Sequence, residues 1–214
     1  NIGTATTQAY TLDTTAPTMT IASGTVSSGA TSNDATIALT FTSSESTTGF
    51  AAGDVTVSAG TLSSFADSGA SYSATFTPSG DATYTISVAA SAYTDTAGNN
   101  NAVSNSFTWT YDATALTITI ASSTSGVTSG STTNDASIAL TFTTSESTTG
   151  FAADDVTVSG GTLSNFAGSG TDYTATFTPS ASGATTIDVA AGKFTDTAGN
   201  SNTAATQFTW TYDG

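Results

Sequence analysis

The sequence predicts an all-β protein made of two tandem antiparallel β-sandwiches, each of about seven strands. One observation is that a unit of about a hundred residues occurs twice. A second is that apolar residues inside each copy alternate with polar ones at period two, in short runs bounded by Gly, Ser, Asn and Asp. No segment carries the 3.6-residue stripe of an amphipathic helix.

The repeat is legible by eye. SNDATIALTFTSSESTTGFAAGDVTVS at 32–58 returns as TNDASIALTFTTSESTTGFAADDVTVS at 133–159, an offset of 101 residues. The same offset carries YSATFTPS at 72–79 onto YTATFTPS at 173–180, and TDTAGN at 94–99 onto TDTAGN at 195–200. FTWTYD closes both copies, at 107–112 and 208–213. Residues 8–13, QAYTLD, share that closing pattern, with Tyr10 in the place of Trp109 and Trp210. The expected division is therefore a last-strand remnant of a preceding copy at 1–13, a first sandwich at 14–112 and a second at 113–214, within a parent of more than two repeats.

Strands are expected near 17–22, 35–42, 54–58, 61–66, 71–77, 83–89 and 104–111 of the first copy. Ile37, Leu39 and Phe41 alternate with Thr and Ala, as do Tyr84, Ile86 and Val88. This is the pattern of a strand with one buried face. Trp109, Trp210, Phe41, Phe142, Phe76 and Phe177 share that phase and are assigned to the core rather than to sugar stacking. Phe50 and Phe151 follow Gly49 and Gly150 in loops and are expected to plug one end of each sandwich.

Composition narrows function. Sixteen acidic residues face one basic residue, Lys193, for a formal charge of −15, while only 8% of the chain is charged. Such a surface repels nucleic acid and anionic lipid and attracts cations. No apolar run reaches the ~20 residues of a membrane span, so direct membrane insertion is not expected. Without His or Cys, nucleophiles activated by histidine and disulfide staples are both excluded. Phosphate-binding loops of the Walker or dinucleotide type are absent, and an enzyme is not expected. An isopeptide cross-link is no general feature either, because Lys193 aligns with Ala92; a Thr–Gln ester fails similarly, since Gln207 aligns with Ser106.

Three blocks in fixed order carry a resemblance: DTTAPT at 13–18, SESTTGFAAGDVTV at 44–57, and TDTAGN at 94–99 followed by an aromatic closing strand. They resemble the tandem bacterial immunoglobulin-like domains of large surface proteins and adhesins, and the likeness covers essentially the whole chain. The resemblance implies immunoglobulin-like sandwiches, a secreted or cell-surface location, and service as extender modules with calcium at the junctions. One departure is the second opening, DATALT at 112–117, where Leu116 replaces Pro17; this junction is expected to rely more on packing or metal.

An acidic set recurs in both copies. Asp13, Glu45, Asp54, Asp95 and Asn99 return as Asp112, Glu146, Asp155, Asp196 and Asn200. If the opening segment, one inter-strand loop and the loop before the last strand meet at one end, these hard oxygen ligands suit Ca²⁺. On the local alternative, Asp95 forms an Asx-turn before Gly98, Asp13 caps a bend, Asp54 starts a turn and Glu45 is solvated. The expected function is a structural extender stiffened by Ca²⁺ at its junctions. Its partners would be neighbouring repeats of the same chain and, through other domains, a host-surface, glycan or matrix ligand. The rivals are a filament subunit, assembling with its own kind through the N-terminal strand, and a glycan- or protein-binding module.

Overall fold

The computed structural model describes residues 10–214. Contacts divide the chain between Tyr111 and Asp112 into two compact units, residues 31–33 alone being grouped with the second.

In the first repeat the strands are β1 (Met19–Ser23), β2 (Thr31–Ser32), β3 (Ile37–Ser43), β4 (Thr47–Thr48), β5 (Val55–Val57), β6 (Thr61–Ser68), β7 (Ser71–Thr77), β8 (Ala82–Val88), β9 (Thr94–Asp95) and β10 (Phe107–Tyr111). In the second they are β11 (Ile118–Ser122), β12 (Thr132–Thr133), β13 (Ile138–Thr144), β14 (Thr148–Thr149), β15 (Val156–Ser159), β16 (Gly161–Ser169), β17 (Asp172–Pro179), β18 (Gly183–Val189), β19 (Thr195–Asp196) and β20 (Phe208–Tyr212). Each repeat holds two four-stranded sheets, β1-β3-β7-β6 with β2-β10-β8-β5, and β11-β13-β17-β16 with β12-β20-β18-β15. A two-stranded ladder, β4-β9 or β14-β19, completes each. The all-β sandwich expectation holds.

Alternation becomes burial. Strand β3 buries every second residue, Ile37, Leu39, Phe41 and Ser43, and exposes those between. The first core gathers Ile21, Ile37, Leu39, Phe41, Phe76, Tyr84, Ile86 and Trp109; the second gathers Ile120, Ile138, Leu140, Phe142, Phe177, Ile187 and Trp210. Apolar burial of this kind is the main stabilising term, at about 25 cal/mol per Å² removed from water. Phe50 meets Tyr72 edge-on at 4.8 Å and Phe151 meets Tyr173 at 4.9 Å, so both phenylalanines close one end of their cores as expected.

Two local features were not expected. The β6-β7 register slips between Ser63 and Ala66, and β16-β17 slips between Ser164 and Ala167. Ser64 and Asn165 sit there at φ of 52°, and each bulge turns the next residue, Phe65 or Phe166, onto the aromatic plug. The second is close backbone approach at Gly161, where an added Cβ would stand 2.4 Å from the carbonyl oxygen of Thr178 and 2.5 Å from the Phe177 ring. Only glycine fits there.

Leu116, in the place of Pro17, is fully buried in the second core and pairs with Asn202 in an isolated parallel bridge, its carbonyl accepting the N–H of Thr203 at 2.7 Å as that of Pro17 accepts the N–H of Ala102 at 2.9 Å. Of the proposed N-terminal strand remnant, residues 1–9 lie outside the described residues. Tyr10 and Leu12 are outside any strand and 86% and 72% exposed.

Candidate metal centre

The TDTAGN block folds into a tight loop because one carboxylate organises it. Asp95 Oδ1 accepts the backbone N–H groups of Ala97, Gly98 and Asn99 at 2.8, 2.7 and 2.8 Å, while Oδ2 accepts Nδ2 of Asn99 at 2.7 Å. Gly98 supplies the φ of 97° that the turn requires. Asp196 repeats the arrangement, its Oδ1 accepting from Ala198 at 2.8 Å and Asn200 at 2.9 Å, its Oδ2 from Asn200 Nδ2 at 2.9 Å. The local reading of Asp95 as an Asx-turn is thus correct, and it coexists with convergence.

Two devices bring the other acids to this loop. The β4-β9 ladder sets Thr47 opposite Asp95, which carries the Glu45 loop alongside; β14-β19 does the same with Thr148 and Asp196. The asparagine that closes the turn also holds the opening segment. Asn99 Nδ2 donates to the carbonyl of Asp13 at 3.2 Å, and Asn200 Nδ2 to that of Asp112 at 3.0 Å. Asp13 and Asp112 in turn receive the N–H groups of Thr15 and Thr114, each at 3.0 Å, on Oδ1. Ser44 and Ser145 hydroxyls accept from Thr18 and Thr117 at 3.0 Å, fastening the glutamate loops to the same segments.

The result is a three-carboxylate cluster in each repeat: Asp13, Glu45 and Asp95, and Asp112, Glu146 and Asp196. In each, one oxygen per residue lies within 4.8 Å of the others. Two ligands on opposite sides of a Ca²⁺ with bonds of 2.3–2.6 Å stand about 4.6–5.2 Å apart, so such a set fits round one ion. Asp95 and Asp196 are each 2% exposed. Oδ2 of Asp95 keeps capacity for one further partner beyond Asn99. Hard carboxylate oxygens with no lysine or arginine in the clusters are the donor set that a divalent oxophile takes.

Electrostatics splits the first cluster. Burial, and then the charges of Asp13 and Asp95, push the Glu45 carboxyl above its ordinary value. The Asn99 carboxamide, helped by the N–H groups of Asn99, Gly98 and Ala97, holds Asp95 below the usual carboxylate range against its desolvation.

Of the ten residues singled out in the sequence, six form the two clusters, and Asn99 and Asn200 hold them by donating amide hydrogens. Asp54 and Asp155 stand outside. Oδ2 of Asp54 accepts from the N–H of Ala51 at 2.8 Å, and Asp155 from Ala152 at 2.9 Å, so each closes the 3₁₀ turn that leads into β5 or β15. The local role expected for Asp54 is thus a turn role, but Asp54 and Asp155 end the turn rather than start it. Sequence reading passed over Asn101 and Asn202, both 2% exposed. Asn202 Oδ1 accepts from Lys193 and Phe194 at 2.7 and 3.1 Å, and its Nδ2 donates to Ala190 and Thr203 carbonyls; Asn101 plays the same part with Tyr93, Ala89 and Ala102. Their recurrence at the 101-residue offset was the available signal.

Among the described residues no helix is long and apolar enough to cross a membrane. No curated protein matches the chain. Among solved structures, the Escherichia coli adhesin FdeC is 16% identical, with 97% of this chain and 67% of that one covered and a TM-score of 0.44. The bacterial integrin-binding protein invasin is 14% identical, over 91% of this chain and 40% of that one, with a TM-score of 0.49. Yersinia pseudotuberculosis InvD is 16% identical, over 94% and 58%, at 0.40. The chain therefore spans less than two thirds of the length of the latter two. The family model of the bacterial Ig-like domain matches residues 13–111 and again 112–212, nearly the whole sequence. The chain belongs to the bacterial Ig-like domain family, in two tandem copies.

Proposed function

We propose that the chain is a non-catalytic extender segment of a secreted surface protein or adhesin, in which Ca²⁺ stiffens the segment that opens each repeat. The observation that carries the reading is the convergence, in both copies, of one carboxylate from the opening segment with two from separate loops. Asp13, Glu45 and Asp95 would hold one ion, and Asp112, Glu146 and Asp196 another, with Asn99 and Asn200 orienting them. The ion would supply the positive charge that each cluster lacks.

The mechanism is mechanical. Three like charges within 4.8 Å repel, which loosens the opening segment from the loops. A shared cation reverses the sign and ties them together. The identical cluster in both copies suits a module that is repeated for length rather than an active site. Extracellular modules hold Ca²⁺ with dissociation constants of about 10⁻⁴–10⁻³ M, so the sites would fill outside a cell.

The test is a thermal melt of the full chain in about 10 mM Ca²⁺, in excess chelator and in Mg²⁺, where mass action gives about 1.4–2.7 kcal/mol per filled site. Calcium should raise the Tm, and Glu45→Gln with Glu146→Gln should abolish the rise. A Tm indifferent to chelator would remove the metal while leaving the fold untouched.

A further inference from the structure

The two repeats differ at one open sheet edge. Strands β1 and β11 are the outer strands of their sheets, paired on one side only, with β3 and β13. The registers Ile21↔Phe41 and Ile120↔Phe142 occupy the same place in the two ladders. In the first repeat the N–H of Ile21 donates to Oδ1 of Asn105 at 2.7 Å, and its carbonyl accepts from Nδ2 of the same residue at 2.9 Å. Both backbone groups of Ile21 therefore point away from β3, and the Asn105 carboxamide caps them as the peptide group of a further strand would.

Aligned on the closing strands, Asn105 corresponds to Thr206, two residues before Phe208 as Asn105 is before Phe107. The threonine side chain is shorter and presents a single oxygen in place of the carboxamide's separate acceptor and donor atoms, so it does not make this two-point bridge. In the second repeat Thr206 lines a surface cavity of about 240 Å³ together with Ile118, Ile120, Gln207 and Phe208. In the first repeat the cavity beside β1 is instead lined by Ile21, Ala22, Ser23, Val26 and Phe107, without Asn105. The second repeat does gain the bridge from Leu116 to Asn202, but this lies ahead of β11 and leaves Ile120 as it is.

We infer that Asn105 is a latch on the outer edge of β1, and that the second repeat, lacking it, keeps the β11 edge at Ile120 open to water. The middle of β11 then detaches from its sheet more readily than the middle of β1. The sandwiches share a fold and a core yet differ in how firmly this strand is held. The inference is independent of calcium and of the role as an extender.

Hydrogen exchange of the full chain, resolved to single amides and run in chelator and in calcium alike, tests it. Two net hydrogen bonds imply that Ile21 is protected more than Ile120 by about tenfold or more. Asn105→Thr should lower protection at Ile21 to the level of Ile120. Thr206→Asn should raise it at Ile120 without touching the first repeat, and it keeps the test informative if Asn105→Thr folds poorly. Equal protection of Ile21 and Ile120 in the parent, or no rise at Ile120 in Thr206→Asn, would overturn the inference.

Discussion

Replacing Asp196 with alanine separates the two tasks that this carboxylate performs. Its Oδ1 satisfies the N–H groups of Ala198 and Asn200, and its Oδ2 receives Asn200 Nδ2, all three residues being buried. Orphaning two buried backbone donors costs about 1–3 kcal/mol each. Asn200 Nδ2 keeps the Asp112 carbonyl, so it adds little. Against this, the substitution removes one of three clustered charges, and relief of two repulsions near 4.8 Å returns about 1 kcal/mol each at the dielectric of water. The net loss in chelator should be about 2 kcal/mol at the middle of a range that reaches about 4 kcal/mol, a fall in Tm of several degrees for a domain of this size, where 1 kcal/mol shifts the midpoint by about 4–8 °C. In calcium the loss should grow by the binding term, about 1.4–2.7 kcal/mol more. Each repeat has one buried tryptophan, so in a Trp109→Phe background the fluorescence of Trp210 reports unfolding of the second sandwich alone. A variant as stable as its parent in chelator would refute the role of Asp196 as organiser of the loop. A variant with the full calcium response would refute its role as ligand.

Glu45 makes the first cluster sensitive to pH in a defined direction. Its carboxyl is raised above 4.5 in the folded chain, so in chelator its contribution is fullest below that value and is lost as pH climbs through the raised pKa. Asp95, lowered from 3.8, works oppositely, its contribution present above that value and lost as pH falls through the lowered pKa. If the cluster holds calcium it does so through the ionised glutamate, so the calcium-dependent rise in Tm should fade on acidification through the Glu45 titration; melts at stepped pH with Glu45→Gln as control read this directly. Asp54→Ala should lower stability by about 1 kcal/mol through loss of the 3₁₀ closure and leave the calcium titration by calorimetry unchanged. Gly161→Ala should destabilise the second sandwich by about 1–3 kcal/mol or more in urea unfolding, because its Cβ meets the Thr178 carbonyl.

Strands with a strict period of two could be read from the chain because a half-buried sheet imposes that period on side chains, as in β3 and β13. The bulges could not, since Ser63–Phe65 and Ser164–Phe166 break the parity through backbone conformation rather than through any distinctive residue pair. Two-residue strands such as β4 and β9 hold a single period and so show no repeat, yet their pairing is what carries Glu45 to Asp95. The clusters were legible from acids recurring at a fixed offset. What separates Asp95 from Asp54 was not, because both stand at turns and differ in which N–H groups each carboxylate faces, those that follow Asp95 and the one that precedes Asp54. The change from Asn105 to Thr206 stands in plain view in the aligned repeats. It acquires meaning once the topology shows that position 105 faces the outer edge of β1.

A chain with one lysine and no arginine offers proteases that cleave after basic residues a single bond, Lys193–Phe194. Asn202 accepts the N–H groups on both sides of that side chain, and Phe194 is sunk in the core, so this bond cannot enter a cleft as extended chain without local opening. The asparagine that shapes the loop beside the acidic cluster thereby also shields the one tryptic target in these two repeats.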